Sequence, residues 1–200
     1  MTGFIDFVRN QHTKLPISQP PEAIAEETYV VTGANTGLGL ECAKHLVRMG
    51  AARVILAVRS HSKGEAALAA IREVTGRDVC EIWELDLSSL DSIEAFAQRL
   101  NTLDRLDALI QNAGIAMANY KVVNGMELTV LVNVIGTMLL ADRALPKLRS
   151  SAKKFNTRPR LTFVTSNAAI KPNLNKIIVE SQGDIFDTFC EEENFGPFTT

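Results

Sequence analysis

Short runs of apolar and β-branched residues alternate with longer helical patterns along the chain. The runs predict β-strands at residues 29–32, 54–58, 81–87, 108–111 and 161–165. Between them, apolar residues at helical spacing, or an excess of alanine and glutamate, predict helices over residues 38–49, 63–74, 89–100 and about 124–149. This alternation is typical of βαβ units around a parallel sheet. The pattern therefore predicts an α/β fold, a doubly wound parallel sheet in a three-layer α/β/α sandwich.

The strand–helix pattern stops after Ser166. The rest of the chain contains an acidic stretch, and it has no lysine or arginine from residue 182 onward. Three prolines, at positions 16, 20 and 21, interrupt the beginning of the chain, and no linker or internal repeat divides the remainder. We therefore expect an N-terminal extension at residues 1–27 and one domain over residues 28–200, with a sheet that lacks its last strands.

Composition limits the classes of function. A net charge of −2 and a pI near 6.0 provide no basic face for nucleic acid. No stretch approaches the roughly 18 uninterrupted apolar residues of a membrane-spanning helix. The cysteines, Cys42, Cys80 and Cys190, are too widely separated for a zinc motif or a disulfide framework. We expect reduced thiols, no metal and a cytoplasmic protein.

A glycine-rich loop joins the first predicted strand to the first predicted helix. Glycines at positions 33, 37 and 39 allow a sharp turn that brings backbone N–H groups against a pyrophosphate, at the positive end of a helix. An ordinary tight turn is the alternative, but the position between a strand and a helix favours a phosphate-binding loop. The candidate cofactor-binding residues here are Gly33, Asn35, Thr36, Gly37, Leu38 and Gly39.

The loop spacing T-G-x-x-x-G-x-G resembles that of the short-chain dehydrogenase/reductase family, and further motifs follow in that family's order over residues 28–170. The resemblance implies a Rossmann-type fold. Gln111 stands where the family's Asn-Asn-Ala-Gly turn has its first asparagine. The positions that match the family's adenine-binding aspartate, its neighbour and the rest of that turn are Asp86, Leu87, Asn112, Ala113 and Gly114. Asp86 as a cap of the following helix is the alternative.

Two further positions match catalytic residues of the family. Asn133, in a predicted helix, matches the structural and catalytic asparagine, and Ser166, after the last predicted strand, matches the catalytic serine. Taken alone, Asn133 also fits a buried polar group with satisfied hydrogen bonds. The chain looks most like the fungal reductases of this family that serve secondary metabolism.

The end of the second predicted strand indicates which nicotinamide cofactor binds. NAD enzymes usually place an acidic side chain there to hold the ribose 2′-hydroxyl. Here the strand is followed by Arg59, with Lys63 close behind. A guanidinium pairs well with a 2′-phosphate, so the sequence predicts NADP(H). The alternative is that both cations are solvated surface charges.

The family's catalytic tyrosine and lysine have no counterpart in this sequence. In the family, a tyrosine after the serine protonates the carbonyl oxygen, assisted by a lysine four residues later. Both tyrosines here, Tyr29 and Tyr120, precede Ser166, and neither Lys171 nor Lys176 has a tyrosine four residues before it. A positioned general acid contributes roughly 10²–10⁴ in rate, so we expect little or no turnover from this chain.

Three interpretations stay open. The chain is a fragment or shortened product of an NADP-dependent reductase that stops before Tyr-x-x-x-Lys, a catalytically inactive NADP-binding protein, or an interaction protein without a cofactor. The resemblance favours the first, with hydride transfer between NADP(H) and a ketone or alcohol. A small-molecule substrate is the expected partner, a homo-oligomer is compatible with the resemblance, and neither nucleic acid nor a membrane is expected.

Overall fold

The structure contains the five strands that the sequence pattern predicts and a hairpin that it does not. The computed structural model describes residues 12–13, 24–165 and 185–195. Its strands are β1 (Thr28–Thr32), β2 (Arg53–Val58), β3 (Cys80–Glu84), β4 (Ala108–Gln111), β5 (Val122–Val123), β6 (Met126–Glu127) and β7 (Arg160–Phe163). Five of them form a parallel sheet in the order β3–β2–β1–β4–β7, and β5 pairs with β6 in an antiparallel hairpin.

Helices cover both faces of the parallel sheet. They are α1 (Gly37–Arg48), α2 (His61–Thr75), α3 (Leu90–Asn101) and α4 (Leu128–Phe155), followed by the short α5 (Ile185–Cys190) and a 3₁₀ turn (Glu192–Asn194). Helices α1 and α2 pack on one face, and α3 and α4 pack on the other. The predicted fold class, a Rossmann-type α/β/α sandwich with part of the family's strands, is confirmed.

Alternate residues of the central strands face the two helical layers. Val31 of β1 and Leu56 of β2 lie in the core beneath α1 and α2, whereas Val30 and Ile55 lie in the core beneath α3 and α4. All four side chains are fully buried. Because these strands are covered on both faces, consecutive positions must be apolar, which explains the continuous apolar runs in the sequence.

Strand β3 is shorter than predicted. It ends at Glu84, which lies opposite Val58, the last residue of β2. The prediction that this strand continues to residue 87 is therefore wrong, because the partner strand has already ended. Residues 85–87 run beyond the sheet at its carboxyl edge, where ligands of such sheets bind.

The start of the long helix also differs from the prediction. Asn124 and Gly125 have positive φ angles of 53° and 78°, as in a type I′ turn, and they join β5 to β6. The helix begins only at Leu128, after this hairpin. The carboxylate of the buried Glu127 accepts hydrogen bonds from the backbone N–H groups of the first helical turn, and this caps the helix.

Helix α4 is long and apolar enough to cross a membrane by length and composition, with a mean hydropathy of 1.6 over an 18-residue stretch. Half of that stretch is buried inside the protein. Leu140, Ala144 and Leu148 pack in the core with α3 and the sheet. We therefore assign α4 as a core helix of the sandwich.

The three cysteines are free thiols. Cys80 is buried, and Cys42 and Cys190 are half-buried. Burial raises the pKa of the Cys42 thiol, and it raises the pKa of Cys80 to about 11. Thiols with raised pKa values carry little thiolate near neutral pH, so Cys42 and Cys80 are poor nucleophiles in the folded protein.

A buried carboxylate joins the amino ends of three strands. Asp107 accepts a hydrogen bond at 2.8 Å from the backbone N–H of Thr28, and the guanidinium of Arg105 lies within 2.9 Å of both its carboxylate oxygens. The backbone of Asp107 also bonds to Thr28 and to Arg160. Asp107 is 6% exposed, so its removal leaves the buried N–H of Thr28 without its acceptor and leaves Arg105 with only the more distant carboxylate of Glu26, at 3.6 Å.

We expect Asp107→Ala to lower the free energy of unfolding by about 2–4 kcal/mol, because breaking a buried, hydrogen-bonded ion pair leaves uncompensated partners. Asp104→Ala is the matched control, since Asp104 is an exposed carboxylate paired with Lys154. That control should cost less than about 1 kcal/mol. Urea unfolding followed by circular dichroism measures both, and equal costs would contradict the role assigned to Asp107.

Candidate cofactor site

A cavity of about 280 Å³ opens at the carboxyl ends of β1, β2 and β4. This is the edge where doubly wound sheets bind their ligands. Its charged lining residues, within the described part of the chain, are Arg59 and Asp86. The residues that line it are Gly33, Asn35, Thr36, Ala57, Val58, Arg59, Leu85, Asp86, Leu87, Asn112, Ala113, Gly114, Ile115 and Val132.

The turn after β4 is held against the end of β1 by the side chains of Thr32 and Asn112. The Thr32 hydroxyl oxygen accepts hydrogen bonds from the backbone N–H groups of Asn112, at 3.0 Å, and Ala113, at 2.9 Å. The side-chain amide of Asn112 donates to the carbonyl oxygen of Thr32 at 3.0 Å. Thr32 is fully buried, so water is not available to replace these bonds.

The glycine loop passes close to this anchor. A Cβ atom on Gly39 would lie 2.5 Å from the carbonyl oxygen of Gly33 and 2.5 Å from the side-chain nitrogen of Asn112. Gly33 has a φ of +67°, and a Cβ there would lie 3.0 Å from the Cα of Ala113. The loop therefore has no room for side chains at positions 33 and 39, and it forms a cradle of backbone atoms. A pyrophosphate requires such a close approach of the backbone.

The glycine at position 37 has a different physical role. Gly37 has a φ of +55°, and an added Cβ would meet nothing within 4 Å. It is needed for its left-handed backbone conformation at the start of α1. Leu38, the next residue, is 74% exposed, and neither residue lines the cavity.

The end of β2 forms one wall of the cavity. Ala57 and Val58 supply a buried apolar surface, and Arg59 follows them at the rim. Its guanidinium makes no hydrogen bond or ion pair with any residue in the described ranges. Lys63 is exposed and does not line the cavity, so only one of the two cations predicted from the sequence is brought to it.

The segment after β3, residues 85–87, forms a second part of the lining, which we call the β3 wall. An Asp86 carboxylate oxygen accepts hydrogen bonds from the backbone N–H and hydroxyl of Ser88, at 2.8 Å and 2.6 Å. The following helix, α3, is instead capped by Ser89, whose hydroxyl accepts from the backbone N–H of Ser92. Asp86 therefore is not the helix cap, and it lies where the resemblance places an adenine-binding aspartate.

The segment after β4, residues 112–115, forms the opposite side, which we call the β4 wall. Asn133 of α4 clamps its last residue, because its side-chain oxygen accepts from the N–H of Ile115 and its side-chain nitrogen donates to the carbonyl of Ile115, both at 2.9 Å. A Cβ on Gly114 would lie 3.3 Å from the same oxygen. Both ends of the Asn133 amide are thus engaged with the β4 wall.

The structure therefore gathers most of the cofactor-binding residues predicted from the sequence. Gly37, Leu38, Gly39 and Lys63 lie outside the lining, and Ser166 lies outside the described residues. The lining residues that the sequence analysis did not name are Ala57, Val58, Leu85, Ile115 and Val132. Apolar residues at strand ends and in a helix carry no motif, so only the three-dimensional arrangement identifies them.

Neither tyrosine reaches the cavity. Tyr29 lies in β1, and its hydroxyl donates to the carboxylate of Glu27. The hydroxyl of Tyr120 donates to the backbone carbonyl of Cys190. Desolvation raises the pKa of both phenols, and Glu27 raises that of Tyr29 further. A catalytic tyrosine would instead need a lowered pKa and a position at the cavity.

We expect Thr32→Val to lower the free energy of unfolding by about 1–3 kcal/mol, because it leaves two half-buried backbone N–H groups, those of Asn112 and Ala113, without their acceptor. Thr32→Ser, which keeps the hydroxyl and loses one methyl group, should cost about 1 kcal/mol. Guanidinium unfolding of both variants tests this. Equal stability of the valine and serine variants would show that the hydroxyl does not anchor the turn.

A model of the short chain dehydrogenase family matches residues 27–178 of the chain. The chain is 42% identical over 166 residues to the short chain dehydrogenase FGM9 of Gibberella zeae, covering 82% of this chain and 48% of that protein. It is 46% identical over 144 residues to the short chain dehydrogenase/reductase dmxR8 of a Cryptosporiopsis species, covering 70% and 44%. The chain spans about half the length of these curated relatives.

Solved structures with the same architecture include Pseudomonas aeruginosa RhlG in an NADP active-site complex, with a TM-score of 0.63 and 29% identity over 77% of this chain and 60% of that chain. A short chain dehydrogenase from Shigella flexneri matches with a TM-score of 0.61 and 27% identity, over 78% of this chain and 61% of that chain. Sequence and fold agree, and the chain belongs to the short-chain dehydrogenase family.

Proposed function

We propose that the cavity binds NADP(H), and that the chain provides the cofactor site of an oxidoreductase that transfers hydride between NADP(H) and a small ketone or alcohol. The observation that carries this proposal is the cavity itself, with a backbone cradle at one end and, at its rim, the Arg59 guanidinium, which has no partner in the part of the chain that the structure describes. RhlG, of similar fold, is described in complex with NADP.

The cradle fits a pyrophosphate. The spaces where Cβ atoms on Gly33 and Gly39 would lie are already occupied by backbone and amide atoms, so the loop presents main chain and not side chains. The first turn of α1 follows directly, and its free N–H groups and helix dipole favour a negative charge. In this proposal Gly33, Asn35 and Thr36 contact the pyrophosphate, and Gly37 and Gly39 set the shape of the turn.

The rim at β2 fits the 2′-phosphate of NADP(H) better than the bare hydroxyl of NAD(H). Arg59 is available because it has no partner among the described residues, and a guanidinium binds phosphate through paired, charge-assisted hydrogen bonds. The nearest acidic residue in the sheet register, Glu84, lies opposite Val58 but does not line the cavity. The carboxylate that does line the cavity, that of Asp86, follows β3 and accepts hydrogen bonds from Ser88. Within the described residues, no carboxylate therefore directly follows β2, where an NAD enzyme holds the ribose hydroxyls.

The remaining roles follow the family resemblance. Asp86 and Leu87 border the adenine, the β4 wall borders the rest of the dinucleotide, and Asn133 holds that wall in place. The bound cofactor supplies the hydride. In this proposal Ser166 orients the carbonyl of a small-molecule substrate, and the resemblance to fungal reductases of secondary metabolism assigns the substrate to that class.

We expect Arg59→Ser to weaken NADPH binding by about 10–100-fold, because it removes a charge-assisted bond to the 2′-phosphate. NADH binding should change by less than about twofold, since NADH has no 2′-phosphate. Lys63→Ser is the matched control, an exposed cation four residues away that does not line the cavity, and it should retain NADPH affinity. Isothermal titration of the unaltered chain and of both variants measures these affinities, and an equal loss for NADPH and NADH in Arg59→Ser would refute the assignment.

We expect the 200-residue chain to bind NADPH without oxidising it at ordinary enzyme rates, about 1–10³ per second, in the presence of ketones. Its only tyrosines, Tyr29 and Tyr120, are engaged away from the cavity. Absorbance at the nicotinamide band, followed with a panel of ketones, tests this. Turnover within that range would mean that another group donates the proton; binding without turnover supports the inactive, NADP-binding alternative for the isolated chain.

A further inference from the structure

Helix α4 changes its geometry where it passes the cavity. Residues Leu131–Gly136 form a π-helical segment between α-helical turns on either side. The hydroxyl of Thr137 donates to the carbonyl oxygen of Val132 at 2.9 Å, which supplies a partner to a buried carbonyl in the irregular turn. π-Helical turns are rare and are frequently found at functional sites, and Val132 lines the cavity here.

One end of this segment is fixed to the β4 wall. Asn133 uses both ends of its side-chain amide on the backbone of Ile115, and Ile115 lines the cavity. A second link lies beneath it, because the side-chain nitrogen of the buried Gln111 donates to the carbonyl oxygen of Thr137 at 3.0 Å. The end of β4 and the turn that follows it are therefore both tied to the same stretch of α4.

Between these two links, at Gly136, the segment also rests on the β3 wall. A Cβ atom on Gly136 would lie 2.1 Å from the carbonyl oxygen of Leu87, so the helix backbone approaches this wall as closely as two backbones allow. Only glycine fits at this position, and any side chain must move the helix or the wall. Leu87 in turn lines the cavity beside Asp86.

We propose that the π-helical segment is a brace that sets the distance between the β3 wall and the β4 wall, with Gly136 and Thr137 as positioning residues for the dinucleotide. This inference rests on the proposed NADP(H) site. A ligand that spans both walls depends on their separation, whereas a ligand confined to the Arg59 side does not. NADPH is the first kind, and adenosine 2′,5′-bisphosphate, its adenosine half, is the second.

The test compares these two ligands on variants of the full chain. Thr137→Val should weaken NADPH binding by about tenfold or more, and binding of adenosine 2′,5′-bisphosphate by less than about threefold. Gly136→Ala should weaken NADPH binding by as much, and it should also weaken the bisphosphate, because it displaces Leu87, which borders the adenine in the proposed site. Thr137→Ser keeps the hydroxyl that bonds to Val132 and should restore NADPH affinity. Leu148→Ala is the control for lost stability, because Leu148 is buried in the same helix and does not line the cavity. It should lower the melting temperature and leave both affinities unchanged.

Hydrogen exchange on the ligand-free proteins provides a second measurement. Thr137→Val should speed exchange in residues 85–87 and 112–115 together, whereas Leu148→Ala should not. If Gly136→Ala fails to fold, the two Thr137 variants decide the result. Equal losses for the two ligands in Thr137→Val, or exchange that rises in only one wall, would overturn the brace. If the unaltered chain binds neither ligand, the proposed function is wrong, and exchange alone then decides whether the segment couples the walls.

Discussion

The cavity depends on the two hydrogen bonds that the hydroxyl of Thr32 accepts. This hydroxyl is buried at the end of the first strand, and it accepts the N–H groups of Asn112 and Ala113 from a turn 80 residues further along the chain. These bonds bring the β4 wall against the glycine loop so closely that Gly33 and Gly39 have no space for side chains. Strands β1 and β4 end side by side, and the hydrogen bonds of Thr32 join their ends. The backbone cradle for an anion follows from this arrangement.

Close contacts with the backbone also hold the β3 wall and the β4 wall on the side of α4. The backbone of Gly136 packs against the backbone of Leu87. Both the oxygen and the nitrogen of the Asn133 side-chain amide bond to the backbone of Ile115. Residues of α4 therefore contact both walls of the cavity, and each contact involves the backbone of the wall. Arg59 lines the rim and has no partner among the described residues, which suits a role in recognising the part of a ligand that distinguishes NADP from NAD.

The fold could be predicted from the sequence because its signals are local. Runs such as Tyr29–Thr32 fall in strands covered on both faces, and glycines mark the first loop. The hairpin at Asn124 and Gly125 has a sequence signal too, since Asn-Gly is typical of a tight turn. The helical spacing of the apolar residues that follow it leads instead to the prediction of a helix from residue 124. The sequence predicts those parts of the site that carry a recognisable motif, such as the glycine loop and the turn after β4. The exclusion of Lys63, the π-helical turn and the contact of Gly136 with Leu87 depend on distances between elements, and no local pattern encodes those distances.

The most direct test of the central claim is a phosphorus NMR titration of NADP⁺ with the full chain. The 2′-phosphate and pyrophosphate resonances should both shift on binding, and Arg59→Ser should abolish the shift of the 2′-phosphate while the pyrophosphate signal still moves at higher protein concentration. This result would place the two phosphate sites at the rim and in the cradle. A spectrum in which neither resonance changes would contradict the account, because the cradle would then be a packing feature without a ligand.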